Sequence, residues 1–166
     1  RVFAADGLPV ISSTVEHQSV LSALDWSDEI TAENIGVDAD GQVDISRITE
    51  RTRGGKGGLL ALIWANNETG ILSPVKEACM CAKKQGWKVH LDGAQIAGKL
   101  PIDVVSTEAD YVALSAHKIY GPKGIGALYV RKGSPFRCLL HGPQESGRRG
   151  GTESVPLIVG FGEAAR

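Results

Sequence analysis

The run Leu59-Leu60-Ala61-Leu62-Ile63-Trp64 carries no polar side chain on either parity. Read as a strand, it has no face for water and must be covered on both sides, as in parallel sheets flanked by helices. Other short apolar runs recur along the chain: Pro9-Val10-Ile11-Ser12-Ser13, an extended stretch over 30–37, Val89-His90-Leu91-Asp92 and Tyr111-Val112-Ala113-Leu114. Helical patterns lie between them. Strands alternating with helices predict an α/β fold, a mostly parallel sheet with helices on both faces.

The intervening segments fit that reading. A helix is expected to begin near His17. Asp38-Ala39-Asp40-Gly41 is a turn, with Gly41 free to take positive φ. Asp44 is placed to cap a short helix through Ile45 and Ile48. Arg51-Thr52-Arg53-Gly54-Gly55-Lys56-Gly57-Gly58 reads as a flexible loop. It lacks the G-x-x-x-x-G-K-[ST] spacing of a phosphate loop, and a strand comes after it rather than a helix. Ser73 is expected to cap a helix with Pro74 at its first position. Val75, Ala78, Cys79 and Ala82 then share one face, so Cys79 is expected to pack in the core. A last helix is expected over 155–165.

Composition narrows the function. A 42% hydrophobic share over 166 residues permits a real core. The net charge of −1 gives no electrostatic footprint for nucleic acid or an anionic membrane surface. No apolar run approaches the ~20 residues that span a bilayer, and no charged-then-apolar leader is visible. The start at Arg1 and the helical pattern running to Arg166 read as breaks in a longer protein. Three cysteines, Cys79, Cys81 and Cys138, are an odd number without framework spacing, which suggests a reducing compartment. Cys79 and Cys81 diverge around a helix and no cluster completes a tetrahedral site, so no metal is expected.

Chemistry gathers where the apolar runs stop. Tyr111–Leu114 leads into Ser115-Ala116-His117-Lys118, then the glycine-rich Gly121-Pro122-Lys123-Gly124-Ile125-Gly126, then a returning strand, Ala127–Val130. A strand that presents Lys118 in a cleft can offer its amine to a carbonyl cofactor as a Schiff base; a surface Lys in a turn is the other reading. His17 can stack on a flat ring, or cap and pack. Asn67 ends the run through Trp64 in a polar turn. Asp92 can pair with a protonated pyridine nitrogen, or cap the next helix. The loop over 142–153, with its Gly, Arg and Thr residues, can meet a phosphate or stay solvated. In an open α/β sheet these strand ends lie along one edge, so the polar clusters should converge. Together they supply what a pyridoxal 5'-phosphate (PLP) site needs.

Glu16-His17, Ala65-Asn66-Asn67-Glu68-Thr69-Gly70, His90-Leu91-Asp92-Gly93-Ala94-Gln95 and Ser115–Val130 resemble the cysteine desulfurases, members of the class V aminotransferase group of fold-type I PLP enzymes. The resemblance implies that residues 1–166 are part of a PLP-binding large domain, with an upstream phosphate loop and a C-terminal small domain outside it. It implies that Lys118 carries PLP, His17 stacks on the ring, Asp92 pairs with the ring nitrogen and Gln95 bonds the phenolic oxygen. Asn67 would lie near that oxygen and the substrate carboxylate. Ser115 and His117 would bind the phosphate, and Thr152 would reach the phosphate of a partner subunit in a homodimer. The implied reaction converts L-cysteine to L-alanine and passes sulfur as a persulfide to an acceptor such as an iron–sulfur scaffold, in the cytoplasm or a compartment of similar redox state. The nucleophilic cysteine and the substrate-binding arginine would lie beyond residue 166, so these residues alone would turn over little or nothing. His141-Gly142-Pro143-Gln144-Glu145-Ser146-Gly147 departs from the family's longer, glycine-richer run there. A selenocysteine lyase, another class V enzyme, or a non-catalytic PLP-binding domain are the alternatives.

Overall fold

The computed structural model describes residue 3, residues 6–25 and residues 30–166. Six strands form one sheet: β1 (Val10–Ser13), β2 (Ala32–Ile35), β3 (Leu59–Ile63), β4 (Lys88–Asp92), β5 (Tyr111–Ser115) and β6 (Gly126–Val130). Their spatial order is β2-β1-β3-β4-β5-β6. Every neighbouring pair is parallel except β5 with β6, which is antiparallel. The expected α/β architecture is therefore present.

The order of the strands decides where the helices go. From β1 the chain moves outward to β2 through α1 (Gln18–Asp25). It then returns past β1 to β3 through α2 (Ile45–Thr52), and continues to β4 through α3 (Val75–Lys84). Right-handed crossovers in opposite directions place their helices on opposite faces. Two core clusters agree with this. On one face, Leu60, Leu62, Val89, Leu91 and Val112 pack with Ile48 of α2 and with Ala78, Cys79 and Ala82 of α3. On the other, Val10 and Tyr111 are buried with Phe3, and Leu24 of α1 packs against them. The switch in direction lies between β1 and β3, where such sheets open a crevice at their carboxyl ends.

Local chemistry explains the element ends. Asp44 Oδ1 accepts the Ser46 N–H at 2.8 Å and caps α2. Helix α2 runs through Thr52, so the glycine-rich loop begins later than its composition suggested. Pro74, not Ser73, occupies the cap position of α3. Ser73 acts through its backbone instead: its N–H donates to the Trp64 carbonyl at 2.9 Å, and its own carbonyl accepts the Val75 N–H at 2.8 Å. Val75, Ala78, Cys79 and Ala82 are the buried residues of α3, as the helical spacing predicts. Burial pushes the Cys79 thiol up to about 12. A final helix, α4, spans Val155–Ala164.

A buried carboxylate anchors the end of the sheet away from the crevice. Asp110, fully buried before β5, accepts from Ser134 Oγ at 2.8 Å, from the Val89 N–H at 3.0 Å and from Lys88 Nζ at 3.2 Å. Lys83 Nζ stands 3.6 Å away. Burial alone would raise its pKa; these donors and cations outweigh it and hold the carboxyl below the usual range.

Candidate active site

At the carboxyl ends of β1, β3, β4 and β5 the side chains enclose a cleft of about 370 Å³. Parallel register builds its floor. Ile63, Asp92 and Ala113 stand side by side on adjacent strands, with His90 two residues behind Asp92 on the same side of β4. Gly93 comes directly after Asp92. A Cβ there would lie 3.0 Å from Val112 Cγ1 and 3.1 Å from the Ala113 carbonyl oxygen, so a side chain would crowd β5 and require it to give by a few tenths of an ångström.

Seven of the eight site residues predicted from the sequence line this one cleft: His17, Asn67, Asp92, Gln95, Ser115, His117 and Lys118. The eighth, Thr152, lies outside it, exposed in the loop before α4.

Each residue is placed by its own local structure. β5 stops at Ser115, and Ala116–Ile119 forms a single 3-10 turn that carries His117 and Lys118 to the cleft wall. Lys118 is exposed, and its Nζ makes no hydrogen bond or ion pair among the described residues. The turn ends at Tyr120, a non-glycine residue held at φ 65°. Next to the floor, Gly126 passes the Leu114 carbonyl so closely that a Cβ would sit 2.5 Å from that oxygen.

His17 caps a helix and also lines the cleft. Its Nδ1 accepts the Ser19 N–H at 3.2 Å and lies 2.8 Å from Ser19 Oγ, capping α1, while the ring faces the cleft. Accepting at Nδ1 leaves the proton of a neutral ring on Nε2. Asp92 is half-buried. Its Oδ1 accepts the Ala94 N–H at 2.9 Å, and Oδ2 makes no hydrogen bond among the described residues. Gln95 Oε1 accepts from Lys99 Nζ at 3.3 Å. Asn67 is carried by a turn that its neighbour builds: Asn66 Oδ1 accepts the Glu68 and Thr69 N–H groups, both at 2.9 Å, and Asn66 Nδ2 donates to the Val15 carbonyl at 3.0 Å.

Two titratable residues belong to this region that sequence reasoning gave no role. His90 lines the floor, and burial holds its imidazole below the ordinary histidine range while the Asp92 charge opposes that shift. Glu16 is buried at 6% exposure; its Oε1 accepts from Ser13 Oγ at 2.5 Å and from the Ile63 N–H at 2.9 Å. The one clue in the sequence was a charged residue within the turn between an apolar strand and a helix.

The donor set suits a flat, anionic, carbonyl-bearing ring. It offers one amine, imidazoles, a carboxylate with a free oxygen, two amides and two hydroxyls. The cleft volume falls in the range of small-molecule sites, about 300–1,000 Å³.

Comparison with known proteins bears on the family and the fold. The Aminotransferase class-V family model matches residues 3–166. The chain is 44% identical over 160 residues to a cysteine desulfurase of Cereibacter sphaeroides, a match covering 94% of the chain and 41% of that protein. It is 43% identical over 164 residues to one of Sinorhizobium fredii, again covering 94% and 41%. Among solved structures, a NifS-like protein superposes with a TM-score of 0.90 at 34% identity, over 98% of this chain and 47% of that one. SspA in complex with cysteine superposes with a TM-score of 0.91 at 36% identity, over 98% and 48%. The chain spans less than half the length of these relatives. It belongs to the aminotransferase class-V family.

Proposed function

We propose that the cleft binds PLP through Lys118 and that the longer protein is a cysteine desulfurase, converting L-cysteine to L-alanine. The observation that carries this reading is the convergence of Lys118, Asp92, His17, Asn67, Gln95, Ser115 and His117 on one cleft. Relatives named cysteine desulfurases, and a solved relative in complex with cysteine, support the choice of substrate.

When bound, PLP supplies an electron sink that stabilises negative charge at the substrate's α-carbon. The chain's residues do the rest. Asp92 fixes its orientation by accepting the Ala94 N–H at Oδ1, and its carboxylate would pair with a protonated ring nitrogen. His17, kept in place by its bonds to Ser19, would stack on the ring. Gln95 and Asn67 would offer amide groups to the ring's oxygen. Ser115 and His117 offer a hydroxyl and an imidazole to the phosphate. Lys118 Nζ, the amine of the cleft, would hold the cofactor's carbonyl end and would take the proton from the substrate's α-carbon.

The thiol that receives sulfur as a persulfide belongs to the longer protein. Cys79 is packed in the core, and neither Cys81 nor Cys138 lines the cleft. In a homodimer, Thr152 reaches the partner's phosphate site, in keeping with its exposed position outside the cleft of its own chain. Delivery to an iron–sulfur scaffold in the cytoplasm completes the proposal. The test is to mix purified full-length protein with PLP and L-cysteine. A visible absorption band that disappears in Lys118→Ala, with alanine formed from cysteine, is the expected result. No band, or a band that survives the substitution, overturns it.

A further inference from the structure

Glu16 is the one ionisable group among the described residues with a buried side-chain oxygen that lacks a hydrogen-bond partner. Its Oε1 is doubly engaged, by Ser13 Oγ at the end of β1 and by the Ile63 N–H at the end of β3. Its Oε2 is buried and has no hydrogen-bond partner among those residues. The groups that act on it most strongly from the packed elements are Ser13 on β1, the Ile63 backbone on β3 and the Asp92 carboxylate on β4. An ionised Glu16 would leave Oε2 as a buried charge without a donor, within electrostatic reach of a second carboxylate. Both effects oppose ionisation. A proton on Oε2 removes both.

We propose that Glu16 is a positioning residue of the cleft: a clamp between the ends of β1 and β3, bound to the residue whose register partner is Asp92, that holds a proton on Oε2. The clamp fixes the backbone from which His17 departs and the strand end beside Asp92. The proton keeps the negative charge of this corner on Asp92 alone. Burial, with a smaller push from Asp92, raises the Glu16 carboxyl to about 7, against the lowering effect of Ser13 and Ile63. A cation on Asp92 changes that balance. Once a protonated ring is paired there, the repulsion felt by Glu16 falls, and its proton becomes easier to lose. Loading the cofactor and deprotonating Glu16 are then coupled, each favouring the other.

The coupling rests on the proposal that PLP binds beside Asp92, so the test has one arm without PLP. Carbon-13 NMR of the full-length protein, with the Glu16 carboxyl assigned by its loss in Glu16→Gln, tracks the titration directly. In PLP-free protein the midpoint is expected at about 7, and Asp92→Asn is expected to lower it, though not to the ordinary range, because burial persists. Saturating PLP is expected to lower it in the wild type and to leave it unmoved in Asp92→Asn. A PLP-free midpoint in the ordinary carboxylate range, or one indifferent to Asp92→Asn, overturns the proposal. A strand clamp with no electrostatic role would show that indifference. If PLP fails to attach to Lys118, the proposed function falls, while the PLP-free arm still decides the role of Glu16.

Discussion

Ile63 and Asp92 are register partners, the last residues of two parallel strands, and the backbone N–H of Ile63 is held by Glu16 from 47 positions earlier. The floor of the cleft is thus fixed from β1, β3 and β4 together. No side chain of the site needs a long excursion to reach it, because each leaves a strand or the turn after one. Such placement on rigid elements is what a reaction sensitive to ångström displacements requires.

Replacing Lys118 with alanine should abolish the PLP absorption band and lower alanine formation from cysteine by about 10²–10⁴-fold, the usual contribution of a positioned acid–base group. Absorbance and amino-acid analysis of full-length wild type and variant provide the check.

Asp92→Asn retains an oxygen for the Ala94 N–H and removes the charge. PLP should still attach to Lys118, while turnover should fall by roughly 10²–10³-fold, as when one preorganised electrostatic partner is lost. Equal turnover in the two proteins would show that the ring nitrogen is held by something else.

The raised Glu16 carboxyl makes stability depend on pH in a definite direction. Its ordinary value is 4.5 and its folded value about 7. The folded state therefore binds the proton more tightly than the unfolded state. The contribution to stability is complete below 4.5 and is lost as pH rises through about 7. The loss across that window is on the order of a few kcal/mol. Glu16→Gln keeps an acceptor for Ser13 and Ile63 and does not titrate, so its urea midpoint should fall less than the wild type's between about pH 5 and pH 8.

Asp110 has the opposite sign. Its carboxyl is held low in the folded state, so its contribution is present above the ordinary aspartate range and is lost as pH falls through its folded value. Asp110→Ala strands Lys83 and Lys88, both partly exposed, and leaves the buried Val89 N–H without its carboxylate partner. We expect a loss of about 3 kcal/mol at neutral pH, near the lower bound for breaking a buried ion pair. Urea unfolding at neutral pH measures it, and the gap between variant and wild type should narrow in acid.

Gly126→Ala places a Cβ 2.5 Å from the Leu114 carbonyl oxygen, a backbone atom that cannot step aside. Loss of at least about 1–3 kcal/mol is expected from the overpacking. Thermal unfolding of the variant checks it.

Much of this was legible in sequence because strands announce themselves locally. Leu59–Ile63 and Tyr111–Ser115 are apolar runs that stop at polar residues, and the stopping points became the cleft. Helix α3 showed its buried face at helical spacing. What stayed hidden depends on partners far along the chain. Nothing near Glu16 indicates that the Ile63 N–H will meet it, and Asp110 acquires Lys83, Lys88 and Ser134 only once the sheet has formed. Over residues 142–153 the composition indicated a loop, yet Glu145, Ser146 and Gly147 adopt consecutive left-handed conformations, with φ of 51°, 59° and 80°. Two of those three carry side chains, so no residue-by-residue preference would have anticipated it. The cap of α3 shifted by one residue because Pro74 takes the position itself.

The antiparallel β6 closes the strand order on one side, and it leaves an outer rim of backbone that no further strand of this sheet occupies among the described residues. Leu128, at the middle of that strand, is 48% exposed. A bare rim with an oily centre invites another polypeptide to add on as the next strand. Residues 1–166 kept at high concentration would therefore tend to join edge to edge, and a charged residue in place of Leu128 should keep them apart.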